Sequence, residues 1–248
     1  TLPPFLTPPI SAWATLTFEA NHTQPVGPSN AVTVESGRRG TWVVRFYPQI
    51  DLPQGTKVAF RKVENEFRFD YIHQDTWPDA RGYVTVEGPD GMALPFACDT
   101  ALKSAIPAVV TLPADWPKEE PITVRIGDQR FGGAGVAVRT AVYDSAHIEI
   151  GVQMPGAETW RACPEAMLAV KVVPCSPVHQ LYVWAPSTAQ PGEAVRTLAL
   201  PVDVNGNPLS LPASETAAIH VEDEKARPSA VIPMTPTSTH TLQGEPTL

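Results

Sequence analysis

The sequence lacks both a long apolar run and a concentrated basic region. None of its 248 residues lies in an apolar stretch approaching the roughly 18–20 residues that span a bilayer, so no transmembrane segment is predicted. The formal net charge is −8, and the lysines and arginines are scattered along the chain. A nucleic-acid backbone requires a basic stripe or patch. Nucleic acids are therefore not expected among the partners.

Recognisable catalytic motifs are also missing. The six histidines are dispersed, with no HxH or HExxH spacing that would hold zinc. No Gly-x-Ser-x-Gly sequence is present to anchor a hydrolase nucleophile. We therefore predict a protein that is not an enzyme, with no catalytic residue, no cofactor and no metal site.

Cysteine is scarce, with Cys98, Cys163 and Cys175 as the three examples. A predicted strand over Ala166–Val173 separates Cys163 from Cys175. Because a strand rises about 3.3 Å per residue, these two Cα atoms should lie beyond the roughly 7 Å limit of a disulfide. Cys98 could pair with either of them, or all three could be small buried residues.

Proline, in contrast, is abundant and predicts an all-β fold. The chain has 28 prolines, about twice the average usage of about 5%, and proline at this density opposes long helices. A short helix is predicted over Thr100–Ile106 and one turn within Glu158–Met167. Alternating apolar and polar residues between turn signals predict strands, over Trp13–Ala20, Ala31–Glu35, Thr41–Tyr47, Lys57–Val63, Gly82–Glu87, Met92–Phe96, Ala108–Leu112, Ile122–Ile126, Val136–Val142, His147–Val152, Ala166–Val173, His179–Ala185, Val195–Val204 and Ala217–Val221.

The spacing of these strands predicts two β-sandwiches between extended, proline-rich termini. Residues 1–12 are predicted to form an extended N-terminal arm, and residues 13–177 a larger β-sandwich. Residues 178–226 carry four or five short strands, which suit a small Ig-like sandwich that is short or incomplete. Residues 227–248 form a Pro/Thr-rich tail, in which Ala230–Ile232 could pair as a last edge strand.

An acidic and aromatic segment, residues 70–79, is the best candidate for a site. Asp70, His73 and Asp75 supply oxygen and imidazole ligands that could bind a divalent cation, although their spacing matches no calcium loop. The alternative is a loop of solvated carboxylates around a packed tryptophan. Three tryptophans in polar or proline-rich loops, Trp77, Trp116 and Trp160, could form a surface that binds carbohydrate or protein. Trp42 and Trp184 lie in apolar strands and are predicted to be core residues.

A glycine-rich hinge, Gly127–Gly135, joins two predicted strands. It lacks the Gly-Lys-Ser/Thr ending of a phosphate-binding loop and has no helix after it to receive an anion, so a shaped structural turn is predicted. The segment Ile122–Thr140 around it, ITVRIGDQRFGGAGVAVRT, resembles the N-terminal region of a large bacterial family of uncharacterised proteins. Gly40–Tyr47, Asp51–Phe60, Ala80–Val86 and Ala194–Pro208 extend this resemblance in the same order.

The resemblance implies a β-sandwich region that, in the family, precedes a metal-dependent, PHP-phosphoesterase-like barrel. The catalytic residues of the family lie in that barrel, and no position up to Leu248 matches them. It also implies a bacterial protein, for which a periplasmic or extracellular place, or one beside a membrane complex, is slightly favoured over the cytoplasm.

The function predicted from the sequence is that of a non-catalytic β-sandwich accessory or structural subunit, which contacts other protein subunits through the extended termini. Two alternatives stay open. One is the N-terminal fragment of a metal-dependent hydrolase, and the other is a carbohydrate-binding module.

Overall fold

The structure, a computed structural model, describes residues 8–20, 24–62, 75–98, 108–138, 141–186, 196–210, 217–222, 228–236 and 242–244. The chain divides into two compact units, Thr1–Val173 and Pro174–Leu248. Within the described ranges, no helix has the length and apolar character needed to cross a membrane.

The described part of the first unit is built from strands and three one-turn 3-10 helices. In chain order the strands are β1 (Ala12–Glu19), β2 (Val26–Ser29), β3 (Ala31–Glu35), β4 (Arg39–Pro48), β5 (Lys57–Lys62), β6 (Val84–Glu87), β7 (Phe96–Ala97), β8 (Ala108–Thr111), β9 (Ile122–Ile126), β10 (Val136–Ala137), β11 (Tyr143–Gln153), β12 (Arg161–Ala162) and β13 (Leu168–Val173). The 3-10 turns are Pro89–Gly91, Gln129–Phe131 and Pro164–Ala166.

These strands form two sheets. The first has the order β2-β1-β4-β9-β6, with β10 beside β4, and all its pairs are antiparallel. The second has the order β3-β13-β11-β5-β8-β7, with β12 beside β11, and only β3 and β13 run parallel among its described pairs.

Both sheets of the first unit contribute side chains to one hydrophobic core. The rings of Phe46 in β4 and Phe60 in β5 meet edge to face, with centroids 6.2 Å apart, and so join the two sheets. Trp42 is fully buried and packs against Phe18, which confirms its predicted place in the core. Two layers with a common core are what a β-sandwich requires. The all-β fold class is confirmed, and the finer sandwich geometry stays a prediction.

The described strands of the second unit form one antiparallel sheet. They are β14 (Gln180–Trp184), β15 (Thr197–Val202), β16 (Ala217–Glu222), β17 (Pro228–Pro236) and β18 (Leu242–Gly244), in the order β14-β15-β18-β17-β16. Two of these strands, β17 and β18, come from the stretch predicted as an extended tail. The Ig-like sandwich stays a prediction for this unit.

A buried carboxylate shapes the turn after β15. Asp203 accepts hydrogen bonds from the backbone N–H groups of Asn205 and Asn207, both at 2.8 Å, and from that of Cys175 at 2.9 Å. A short polar side chain that bonds to the following backbone is the usual device for such a turn. The turn predicted at Asn205–Pro208 therefore begins two residues earlier than its asparagines suggest.

Most predicted strands are confirmed to within two residues, and β3 and β9 have the predicted bounds. The strand predicted over Met92–Phe96 is wrong. The turn at Pro89–Gly91 folds the chain back, so that Leu94 N–H donates to Val86 O at 2.9 Å, and only Phe96–Ala97 forms a strand. The predicted turn within Glu158–Met167 is confirmed as Pro164–Ala166. The helix predicted over Thr100–Ile106 lies outside the described residues.

Candidate binding surfaces

The glycine hinge between β9 and β10 is organised by a buried carboxylate. Asp128 accepts a hydrogen bond from the backbone N–H of Arg130 at 3.1 Å and another from the hydroxyl of Thr85 at 2.6 Å. The Arg130 guanidinium donates to the same carboxylate and also pairs with Glu87. The hinge is therefore tied to β6 through charged hydrogen bonds, which are the stronger kind.

These contacts stabilise the charged forms of Asp128 and Arg130. Burial by itself raises the pKa of Asp128, but the hydrogen bonds from Arg130 and Thr85 outweigh it and hold this pKa below its ordinary value. The hydrogen bond to Asp128, followed by that to Glu87, raises the pKa of Arg130. The guanidinium is already neutralised by two carboxylates, so the hinge supports structure better than it supports binding of an anion.

The hinge also packs closely against β4. The Thr41 hydroxyl donates to Gly127 O at 2.9 Å and accepts from Gln129 N–H at 3.1 Å. Gly135 has φ of +73°, and a Cβ at this position would lie 2.7 Å from Gly40 O. Both the left-handed backbone and the close approach require glycine here. The predicted structural turn agrees with these contacts.

One exposed aromatic ring in the hinge was missed by the sequence analysis. Phe131 is 50% exposed, and its ring meets that of Tyr83 edge to face with centroids 5.6 Å apart. Asp128 N–H donates to Tyr83 O at 2.8 Å and holds the two segments together. A glycine-rich turn has no face that packs on the core, so an aromatic residue within it is expected to be exposed. This pattern in the sequence could have identified Phe131.

The structure separates the tryptophans that the sequence grouped. Trp77 is 65% exposed, but Trp116 is only 5% exposed and Trp160 is also buried. The exposure that a binding surface requires is therefore present at Trp77 and absent at the other two. Trp116 can be buried because its indole N–H donates to Glu120 O at 2.9 Å, which satisfies its polar atom.

The acidic segment is described only in part. Asp75 is exposed, whereas Asp70 and His73 lie outside the described residues. Among the residues that the structure does describe, no three His, Cys, Asp or Glu side chains are grouped so that they could hold a metal ion.

Trp116 belongs to a paired motif that the sequence analysis also missed. Asp51-Leu52-Pro53 and Asp115-Trp116-Pro117 run antiparallel, and Leu52 and Trp116 exchange backbone hydrogen bonds of 2.8 and 2.7 Å. Each aspartate accepts from the backbone N–H that follows the opposite proline, Asp51 from Lys118 at 2.9 Å and Asp115 from Gln54 at 2.8 Å. The two tripeptides line an open cleft of about 490 Å³. The repeated Asp-apolar-Pro sequence is a signal that could have been found.

The cysteines do not provide a nucleophile in the described cavities. All three are thiols. Burial, followed by the charge of Asp75, raises the pKa of Cys98 to about 12, and burial raises that of Cys163 to about 12. Cys163 lines a cavity of about 310 Å³ beside the Arg61–Glu149 ion pair. A thiol with such a pKa is protonated at neutral pH and is a poor nucleophile.

The second unit exposes an apolar strand at the edge of its sheet. All five residues of β14 are exposed, including Leu181, Tyr182, Val183 and Trp184. Trp184 is 54% exposed, so its predicted place in the core is wrong. Among the described strands, β14 pairs only with β15. A central strand would bury one of its faces, but this edge strand leaves apolar residues accessible on both.

Comparisons with known proteins give no family. No family model matches the sequence, and no curated protein matches it. Among solved structures, AvmM, which catalyses macrocyclization in alchivemycin A biosynthesis, is similar at a TM-score of 0.31 and 10% identity, over 68% of this chain and 92% of that one. A family 123 glycoside hydrolase from Clostridium perfringens is similar at 0.26 and 8% identity, over 68% of this chain and 28% of that one.

Domains 5–6 of the S-layer protein SbsC are similar at a TM-score of 0.19 and 13% identity, over 94% of this chain and 85% of that one. Similarities of this strength carry no argument about function. The predicted relationship to the bacterial family with a C-terminal barrel stays a prediction.

Proposed function

We propose that this chain is a non-catalytic accessory or structural subunit that binds another protein of a larger assembly through the edge of β14. The observation that carries the proposal is the exposure of every residue of Gln180–Trp184. This strand contains no charged residue and no proline. Edge strands of soluble proteins normally carry such residues, because a bare apolar edge pairs with other chains.

The chemistry of an edge strand defines the kind of partner. The outer side of β14 offers backbone N–H and C=O groups to an extended segment of another protein, which would add a strand to the sheet. Leu181 and Val183 alternate with Tyr182 and Trp184 on the two faces, so the added segment would gain apolar contacts on either side. Tyr and Trp are the side chains most enriched at binding hot spots.

We propose β14, and not the termini, as the contact with the partner protein. The described parts of the termini already pair or pack with other segments of this chain. Ile10 is buried in the core of the first unit, and its N–H donates to Ala162 O at 2.9 Å. The C-terminal stretch supplies β17 and β18, which pair with other strands of the second unit. These segments are therefore less available to a partner than β14 is.

The test replaces one apolar residue of β14 and measures the mass of the native assembly. Val183→Lys puts a charge on the proposed contact, and Val204→Lys puts one on a turn residue that is 63% exposed outside the strands. Tagged wild type and both variants are expressed in the source cell and analysed by size exclusion with light scattering. We expect wild type and Val204→Lys in a stoichiometric complex heavier than the 26.7 kDa chain, and Val183→Lys at the mass of the chain alone.

The proposal fails if the wild-type chain elutes alone, or if Val183→Lys keeps the complex. Far-ultraviolet circular dichroism on the three proteins ensures that a lost complex does not reflect a lost fold.

A further inference from the structure

The outward face of the first sheet carries a fixed pair of aromatic rings. Trp13 in β1 and Tyr47 in β4 are register partners, and their rings stack with centroids 3.8 Å apart and planes 7° from parallel. Trp13 is nevertheless 43% exposed. The stack holds the indole in one orientation, so a ligand that covers it loses little side-chain entropy on binding.

A half-buried arginine, Arg45, lies beside this stack. Arg45 is two residues before Tyr47 in β4, so the two side chains are on the same face of the sheet. Its cross-strand neighbours are Thr15 in β1, which is partly exposed, and Thr123 in β9, which is buried. Thr15 therefore adds a hydroxyl group to this face. A diagonal cross-strand pair such as Trp13 and Arg45 is about 7–8 Å apart, within reach of long side chains.

The contrast with other arginines of the unit is informative. Arg61, Arg125 and Arg130 each form an ion pair with a glutamate or aspartate. In the part of the chain that the structure describes, Arg45 has no such ion pair, although it is half-buried in the middle of the sheet. A half-buried guanidinium without an anion loses hydration with little return, and an anionic ligand would restore that energy.

We propose that Trp13, Arg45, Tyr47 and Thr15 form a binding face for a polysaccharide whose sugars carry carboxylates. A pyranose ring has a flat face of C–H groups that packs on an exposed indole, and its hydroxyls can bond to threonine. The planar fork of an arginine matches a carboxylate in two parallel hydrogen bonds. The binding face thus has a partner for the C–H groups, the hydroxyls and the carboxylate of a uronic acid.

A nucleic acid is the other polymer whose rings would stack on the indole. A nucleic acid requires several cations along its phosphates, but Arg45 is the one cation among the residues proposed for this binding face, and the whole chain carries a net charge of −8. Farther along the same face, Glu19 and Glu87 flank Arg125. The carboxylate of one uronic acid is sufficient to pair with the single arginine of the binding face.

The test measures binding to two polyuronates by isothermal titration, polygalacturonate and alginate, with carboxyl-reduced polygalacturonate and poly(U) as comparison polymers. The variants are Trp13→Ala and Arg45→Gln, with Phe131→Ala as the control loss of an exposed aromatic ring. We expect at least one polyuronate to bind wild type and Phe131→Ala equally. Arg45→Gln should weaken binding about 10-fold or more, as expected for a charged hydrogen-bond pair, and Trp13→Ala should weaken it as well.

The proposal is overturned if neither polyuronate binds. It is also overturned if the reduced polymer or poly(U) binds equally well, or if Arg45→Gln leaves the affinity unchanged. Arg45 is not one of the buried core residues, so Arg45→Gln keeps the test valid should Trp13→Ala disturb the strand. The face lies in the first unit and does not involve β14, so this outcome is independent of the assembly experiment.

Discussion

Asp128 holds the glycine hinge through its carboxylate, which is buried yet charged. The side chain gives up hydration, and it is compensated by hydrogen bonds from Arg130 and Thr85. Removing one partner of such a group costs more than the pair contributes, because the remaining polar atoms stay buried without partners. Hinge stability should therefore depend on the charge of this one residue.

Asp128→Asn should lower the free energy of unfolding by about 1.5–3 kcal/mol at pH 7, as expected for charged hydrogen bonds. The control is Asp144→Asn, whose side chain is 97% exposed and should change stability by less than about 1 kcal/mol. Urea unfolding followed by tryptophan fluorescence measures both. Equal losses from the two variants would contradict the role given to Asp128.

The same substitution makes a prediction about pH. The pKa of Asp128 in the folded chain lies below its ordinary value, so its contribution is complete above the unfolded pKa of about 3.9 and is lost as the pH falls through the lower folded value. The difference between wild type and Asp128→Asn should stay constant from about pH 7 to pH 5 and shrink below about pH 4. A difference that stays the same down to about pH 3 would exclude this carboxylate as its source.

Alanine variants at two glycines of the hinge distinguish the cost of a left-handed backbone from the cost of close packing. Gly135 and Gly132 have φ of +73° and +90°, but an added Cβ overlaps Gly40 O only at Gly135 and meets nothing within 4 Å at Gly132. Both alanine variants should lose the roughly 1–2 kcal/mol of a left-handed residue. Gly135→Ala should lose at least about 1 kcal/mol more, because its backbone neighbour cannot move aside easily. Equal urea midpoints for the two variants would show that the packing is looser than described.

At the scale of elements, alternation in the sequence predicts the central strands well. Ile122, Val124 and Ile126 alternate along β9 and are fully buried, because they face the core and β9 has a neighbouring strand on each side. Thr123 between them is buried as well. The same apolar character at Trp184 predicts the core and is wrong, because sequence alone does not reveal that β14 is an edge strand. Burial of a tryptophan depends on which strand lies next to it, and that is a property of the whole sheet.

The predicted site shows the same limit. The exposure of Trp77 follows from its polar surroundings, but Trp116 lies in an equally polar segment and is buried. Its burial depends on a bridge to Leu52, a residue far away in sequence. The stacked pair of Trp13 and Tyr47 likewise depends on the register between β1 and β4. Contacts between distant segments create these sites, and local patterns do not report them.

The two Asp-apolar-Pro tripeptides should stabilise the fold cooperatively. Asp51→Ala and Asp115→Ala each remove one hydrogen bond to a backbone N–H, at a cost of about 1 kcal/mol. Both bonds support one bridge, so loss of the first should loosen the second. The double variant should therefore lose less than the sum of the singles by at least about 0.5 kcal/mol. Additive losses in a double-mutant cycle would mean that the two aspartates act independently.

At the scale of the whole molecule, the chain combines two compact units with different surfaces. The first unit has two sheets around a shared core, with the hinge and the aromatic face on its outside. The second unit has a sheet whose edge strand exposes apolar residues on both faces. The exposure of this edge motivates the proposal of an interaction subunit.

Hydrogen exchange of the β14 amides tests that proposal most directly. The isolated chain and its native assembly are exchanged in parallel, and peptides covering Gln180–Trp184 are compared with those covering the central strand β9. Addition of a partner strand should protect the outward-facing amides of β14 in the assembly by about 10-fold or more, and leave β9 unchanged. Unchanged exchange in β14, with protection appearing elsewhere in the chain, would contradict the account.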